Sequence, residues 1–175
     1  MMTVRNLRAF RDEMLTEDPF SRAALHEVSD PAHIRQQLMV ELTKHLRAKE
    51  GIDKLAERIQ HVAGVNASRA QMIARTEKTR AQAGGRLKAI LDPYFEAYDK
   101  AVKNHRKRPP RPLWEWVEPM RAKQPRHDHI SLSGRKVPVG EEFGFGLRCP
   151  GDPKAPIEQT ANCHCYTRKV NTEGR

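Results

Sequence analysis

The last fifty residues of the chain restrict its fold more than any other segment. Two short groups of ligand-type side chains, His-Asp-His at 127–129 and Cys-His-Cys at 163–165, flank a Gly- and Pro-rich stretch that cannot be helical. On an extended strand alternate side chains face the same way, so the two histidines share one face and the two cysteines share another. The pattern predicts a small β/loop module in which polar side chains converge from separate strands.

Upstream of this module, apolar residues recur at helical spacing. Proline favours the first turn of a helix and glycine favours its end, so Pro31, Gly51 and Gly64 mark boundaries. Helices are predicted over residues 3–15, from Pro31 to Gly51, from 52 to 64, and from Asn66 or Ser68 to the Gly84-Gly85 pair, with a kink or a new helix at Asp92-Pro93. The predicted fold class is α+β, with a helical N-terminal two-thirds and a small β/loop C-terminal module.

Composition limits what the chain can be. Hydrophobic residues make up 38% of it and the mean hydropathy is −0.77, values low for a self-sufficient globule, so we expect apolar surface to be buried against a partner. No apolar run is long enough to span a bilayer, and the basic N-terminus lacks the apolar stretch of a secretory signal. Three cysteines, an odd number, argue against a disulfide framework and favour a reducing compartment.

Positive charge is concentrated between residues 99 and 136, where eleven basic residues stand against four acidic ones. Such a cluster suits phosphate backbones or an acidic protein face, while the simpler alternative is a solvated surface. Trp114 and Trp116 follow closely and offer either stacking surfaces for bases or core side chains, and we expect at least one of them in the core. The candidate contacts to DNA are Lys103, Arg106, Lys107, Arg108 and Arg111.

Several separated segments resemble one family. The helical stretches 50–59 and 73–81, the Arg-x-x-His of 126–129 with Leu132 and Gly134, the Pro-Gly-Asp of 150–152 and the Asn-Cys-x-Cys of 162–165 occur in order. Together they resemble the phage Mu F-like minor head protein family, also called the phage head morphogenesis domain. Two positions depart from its usual pattern: Ala122 replaces an aspartate and His164 replaces an arginine. The resemblance implies a head morphogenesis domain over 51–170, preceded by an N-terminal helical extension over 1–50.

The resemblance also implies a function. Members of the family are low-copy structural proteins of tailed phages or prophages that associate with the portal and with capsid or scaffold proteins during head assembly, and some bind double-stranded DNA without sequence preference. We therefore expect a location in the virion head, and in the host cytoplasm during assembly. The chain is not expected to be an enzyme or to contact a membrane.

A polar latch is predicted between the helices and the C-terminal module. Glu77 flanks the apolar face of its helix, and a carboxylate placed there needs a partner, for which Arg126 is the natural choice. The predicted latch consists of Arg75, Glu77, Arg126, His129 and Asn162. The functional alternative is an active site in which Glu77 acts as acid or base and His129 as a proton shuttle.

The histidines and cysteines of the module suggest a metal site. His129, Cys163 and Cys165, with His127, Cys149 or His164 as the fourth ligand, would suit tetrahedral Zn²⁺. Cys-x-Cys is tighter than the usual Cys-x-x-Cys, which favours the alternative of small buried cysteines and a hydrogen-bonded core histidine. No cofactor is therefore expected, and zinc is the alternative.

Two adjacent pairs resemble catalytic dyads, Asp128 with His129 and Cys163 with His164. Adjacent residues of a strand point to opposite faces, so neither pair is expected to cooperate. The sequence also lacks a serine-centred elbow, a phosphate loop and a paired-carboxylate motif. These observations favour a structural interpretation of the module.

Overall fold

A computed structural model describes residues 2–16, 31–120 and 125–170, without the side chains of residues 31 and 32. In chain order the described elements are α1 (Val4–Thr16), α2 (Pro31–Ala48), α3 (Ile52–Ala63), α4 (Ala67–Lys103), β1 (Leu113–Val117), α5 (His127–Leu132), β2 (Lys136–Pro138), α6 (Ile157–Thr160) and β3 (Tyr166–Lys169). The predicted α+β class is confirmed: helices dominate, and the C-terminal part holds a small antiparallel sheet.

Local signals define the ends of the middle helices. Gly64 adopts a left-handed conformation with φ of 65° and closes α3. The Asn66 side chain caps α4 by accepting a hydrogen bond of 2.9 Å from the Arg69 amide. These boundaries lie where the sequence predicts them, because a cap depends only on a few neighbouring residues.

Helix α4 is longer than predicted, since it continues through Gly84, Gly85 and Pro93. Its 37 residues span about 55 Å. Gly84 marks a helix crossing: a Cβ there would lie 3.2 Å from the carbonyl oxygen of Met14 at the end of α1. Glycine costs about 1 kcal/mol and proline about 3 kcal/mol in a helix interior, and packing along α4 offsets that cost. The helix buries Leu87, Leu91 and Phe95 against its neighbours.

Two hydrophobic cores lie along α4. The smaller core joins α2 and α3 to the first half of α4, and the larger joins its second half to α1, the sheet and the C-terminal loops. The predicted boundary near residue 50 therefore falls between α2 and α3, which contact each other, while Leu7, Phe10 and Met14 of α1 belong to the larger core. The division into extension and domain stays a prediction.

The sheet has the strand order β2-β1-β3, with both neighbours antiparallel to β1. Alternate residues of the central strand point inward, and Trp114 and Trp116 are both fully buried there. Phe143 packs on both indole rings, with centroids 6.0 Å from Trp114 and 5.4 Å from Trp116. The two tryptophans therefore form the centre of the larger core and are not available to stack on bases.

Candidate functional site

The C-terminal tail contacts α4 mainly through its main chain. The Asn162 amide donates to Thr76 Oγ1 at 2.9 Å, and Thr79 Oγ1 donates to the Cys163 carbonyl at 2.8 Å. Arg75 Nη1 adds a contact of 3.3 Å to Asn162 Oδ1. The threonines, one turn apart on the helix, thus fix the chain just before the two tail cysteines.

The turn at Gly151 contacts the same helix at Arg80, the residue that follows Thr79. Its φ is +72°, and a Cβ at this position would lie 2.9 Å from the Cα of Arg80. Arg80 Nε donates to the Gly151 carbonyl at 3.4 Å. The absence of a side chain is what allows the two backbones to approach this closely.

Glu77 is buried, as the latch hypothesis requires, but its pairing differs from the prediction. Its carboxylate lies 3.7 Å from Nη1 of Arg80, one turn along the same helix. Arg126 instead donates from Nη2 to the Ala161 carbonyl at 2.7 Å. Glu77 and Arg80 thus face each other on one side of α4. Arg126 contacts the main chain of the tail instead.

His129 lies on a short helix, α5, and the predicted strand at 127–129 is wrong. Residues two apart on a helix are about 200° apart around its axis, so His127 is exposed while His129 is buried. The Nδ1 atom of His129 lies 3.3 Å from Sγ of Cys165 and 3.6 Å from Sγ of Cys163. Its ring also packs edge-on against Trp116, with centroids 5.4 Å apart.

Gln159 bridges Asp128 and His129, two neighbours that the strand interpretation placed on opposite faces. Its Nε2 donates to Asp128 Oδ2 at 2.9 Å, and its Oε1 lies 3.1 Å from His129 Nε2. An ionised aspartate only accepts hydrogen bonds, so the amide nitrogen of Gln159 faces Asp128 and the amide oxygen faces the imidazole. His129 Nε2 therefore carries a proton, and Nδ1 is the atom directed at the two thiols.

Glu118 completes this buried cluster of side chains. Sγ of Cys165 donates to Glu118 Oε2 at 2.7 Å, and Oε1 of the same carboxylate accepts from the Met120 amide at 3.0 Å. We call the four residues His129, Cys163, Cys165 and Glu118 the thiol cluster. All four are at most 8% exposed, so the cluster lies inside the protein.

The two thiols of the cluster have opposite acidities. The hydrogen bond from the Cys165 thiol, helped by His129, lowers the pKa of Cys163 to about 5 although burial opposes it. The same bond, together with burial and Glu118, raises the pKa of Cys165 above its usual value.

Only part of the predicted metal set comes together. Among the described residues, the group close enough to share an ion is His129, Cys163 and Cys165. Cys149 lies elsewhere, with its Sγ 3.6 Å from Sδ of Met14, and complete burial raises the pKa of its thiol well above the usual value. His164 turns to the adjoining groove. The order of residues along the chain does not by itself show which candidate could serve as the fourth metal ligand.

A groove of about 550 Å³ opens beside the thiol cluster, along α4 and the tail. Arg75, Lys78 and Arg86 line it with positive charge, and His164 lies beside them. Arg86 lies over the Tyr166 ring at 5.3 Å, and burial lowers the pKa of its guanidinium. Cys163 and Cys165 form part of the wall, so the groove connects the cluster to solvent.

The predicted DNA contacts lie at the end of α4 and in the loop after it. Lys103, Arg106, Lys107 and Arg108 are exposed, and the guanidinium of Arg108 lies over the Tyr98 ring at 5.3 Å. Arg111 differs, because its guanidinium is paired with Glu141 and is largely covered. Four of the five cations are therefore accessible to a phosphate backbone.

Sequence reasoning missed Glu118 and Gln159. A signal for Glu118 was present, because a spacing of two along the strand places it on the same face as Trp114 and Trp116. Gln159 offered no such signal, since its role depends on how α6 packs beside α5. A polar residue in a four-residue helix has no periodicity to read.

The threonine contacts predict a measurable stability effect. Replacing Thr76 with valine leaves the Asn162 amide without its acceptor, so we expect the free energy of unfolding to fall by about 1–3 kcal/mol. The matched control is Thr43→Val, which removes an exposed hydroxyl bonded at 2.8 Å to the Met39 carbonyl one turn earlier on its own helix. That change should stay within about 0.5 kcal/mol in urea denaturation. Equal losses would mean that the tail does not depend on Thr76.

No family model, no curated protein and no solved structure matches this chain. The resemblance to minor head proteins thus stays a prediction drawn from short motifs. Within the described residues, no helix combines the length and the hydrophobicity needed to cross a bilayer.

Proposed function

We propose that this chain is a minor head protein of a tailed phage or prophage, a non-catalytic component that contacts the portal and the capsid or scaffold proteins during head assembly. One observation carries the proposal: three segments that resemble the family, far apart in sequence, pack at a single junction. Thr76 and Thr79 hold the Asn-Cys-x-Cys tail, and Gly151 packs on Arg80 of the same helix. Motifs that meet in this way are parts of one structural unit.

The burial of the thiol cluster supports a structural role over a catalytic one. His129, Cys163 and Cys165 are each at most 3% exposed, and a general acid or nucleophile must reach its substrate. Glu77, the acid or base of the alternative active site, is 1% exposed and paired with Arg80. These groups are placed to hold the module together.

Helix α2 supplies a surface for the partner. Met39, Val40 and Leu46 are exposed on it, while Leu38 and Leu42 of the same helix pack on α3. Exposed apolar side chains grouped on one element are typical of a protein interface. We assign this surface to the contact with the portal or the inner shell.

Mass spectrometry of procapsids purified from the encoding phage or prophage tests the assignment. We expect the chain at low copy number together with the portal. The double variant Met39→Lys and Val40→Lys should reduce its incorporation at least tenfold without lowering the melting temperature. Val102→Lys, at an exposed site near the end of α4, is the matched control and should incorporate normally. Absence of the wild-type chain from procapsids that contain portal would contradict the proposal.

DNA binding is a second candidate function, supported by the exposed cations at 103–108. A protein that neutralises four phosphates of B-DNA loses affinity with a log–log salt slope of about −3.6. The triple variant Arg106→Ser, Lys107→Ser and Arg108→Ser should make that slope less steep by about 2.7 in an electrophoretic shift series. Replacing the exposed Arg47, Lys49 and Lys54 with serine removes the same charge elsewhere and should leave the slope unchanged. Tight binding that is indifferent to salt would exclude this function.

A further inference from the structure

The thiol cluster has the dimensions of a metal site. A tetrahedral zinc ion lies about 2.3 Å from sulfur and about 2.0–2.1 Å from nitrogen, which places neighbouring nitrogen and sulfur ligands about 3.6 Å apart. His129 Nδ1 lies 3.3 and 3.6 Å from the two sulfurs. The three ligand atoms all lie within 4.8 Å of one another.

The imidazole is also oriented as a metal ligand requires. Gln159 accepts the proton on Nε2 and is itself held by Asp128, which fixes the ring and directs the Nδ1 lone pair toward the sulfurs. Histidines that bind metals nearly always donate their other ring nitrogen to such a partner.

The donor types in the cluster point the same way. Two thiols and one imidazole nitrogen converge there, and thiolate and imidazole together suit a tetrahedral zinc ion. Glu118 lies beside this set, and its Oε2 accepts from Sγ of Cys165 at 2.7 Å.

We infer that His129, Cys163 and Cys165 bind a zinc ion, with water in the fourth position of the tetrahedron. The metal replaces the thiol protons, which leave to solvent, and no ligand is oxidised or reduced. The site goes beyond the proposed assembly function, because it joins α5 to the tail wherever the protein acts. The groove lined by Cys163, His164 and Cys165 provides the route from solvent to the ligands.

Elemental analysis of the full chain, expressed with zinc and purified without chelator, is the first test. We expect one zinc per chain. Replacing zinc with cobalt(II) should produce the intense near-ultraviolet absorption of thiolate-to-cobalt charge transfer, together with the visible bands of a tetrahedral ion. Less than one-tenth of a zinc per chain and no such absorption would overturn the inference.

Variants separate the site from other thiols. Cys163→Ser and Cys165→Ser should each abolish stoichiometric zinc, whereas Cys149→Ser removes an equally buried thiol beside Met14 and should retain it. Loss of zinc in the Cys149 variant, or its retention in both others, would refute the assignment.

Gln159→Leu keeps His129, Cys163 and Cys165 and provides a test when a ligand variant fails to fold. It removes the acceptor of the Nε2 proton, so we expect cobalt affinity to fall about 10–100-fold while the charge-transfer intensity at saturation is unchanged. Unchanged affinity in this variant would contradict the geometry.

Discussion

Replacing Arg148 with alanine is expected to lower the free energy of unfolding by about 3–5 kcal/mol. Arg148 holds the carboxylate of Asp152 in a two-pronged pair, with Nε 2.8 Å from Oδ2 and Nη2 2.6 Å from Oδ1. The side chain of Asp152 is completely buried. Alanine would leave that charge with its two main-chain donors, the amides of Arg148 and Lys154, but without a counter-charge.

Arg148 also ties α1 to the C-terminal loops, which adds to the expected loss. Its Nη2 lies 3.2 Å from Glu13 Oε1, and its guanidinium lies 4.2 Å from the centre of the Phe10 ring. Burial alone would lower the pKa of Arg148, but the hydrogen bonds and charges of Asp152 and Glu13 raise it above its usual value. The group is therefore held in its charged form, and its removal affects three contacts together.

The matched control is Arg168→Ala, which removes an equally two-pronged pair from the sheet surface. Arg168 contacts Glu115 at 3.2 and 2.8 Å but is 60% exposed, so solvent screens the pair and its loss should cost much less stability than the loss of Arg148. Urea denaturation of both variants and the wild type measures the difference. Similar losses in the two variants would mean that burial of Asp152 does not govern the effect.

Replacing Gly151 with alanine should destabilise the protein by about 2–5 kcal/mol. The left-handed conformation costs an L-residue about 1–2 kcal/mol, and a Cβ placed 2.9 Å from Arg80 Cα forces the turn away from α4 at a further cost of about 1–3 kcal/mol. The backbone of a helix cannot yield as a flexible side chain can. Thermal and urea unfolding would both report the change.

Gly64→Ala is the control for the conformational part of this cost. Gly64 has a similar φ of +65°, but a Cβ there would meet nothing within 4 Å. Its replacement should therefore cost only about 1–2 kcal/mol. If the two variants lost the same stability, close contact between the Gly151 turn and α4 would not contribute.

Features that depend on a few neighbouring residues could be predicted from the sequence. The boundaries of α3 and the start of α4 follow from Gly51, Gly64 and Asn66, and the α+β class follows from periodicity upstream and frequent proline and glycine downstream. The two cysteines at 163 and 165 also direct their sulfurs at one atom of His129, as alternation along an extended segment predicts.

Features that depend on distant contacts were decided by the tertiary structure. Helix α4 continues through Gly84 and Pro93 because α1 and the larger core pack along it, whereas both residues taken alone predict an end or a kink. In the same way, the segment at 127–129 is helical despite its strand-like alternation.

The same distinction between local and distant effects applies to the hydrogen-bond and ion-pair partners of polar and charged groups. The sequence indicated that Glu77, Arg126 and His129 would be buried or paired, since isolated charges in a core are costly. It did not determine that Glu77 pairs with Arg80, that Arg126 supports Ala161, or that Gln159 orients His129. Hydrogen bonds act over about 3 Å, so their partners are known only once the chain has brought distant segments together.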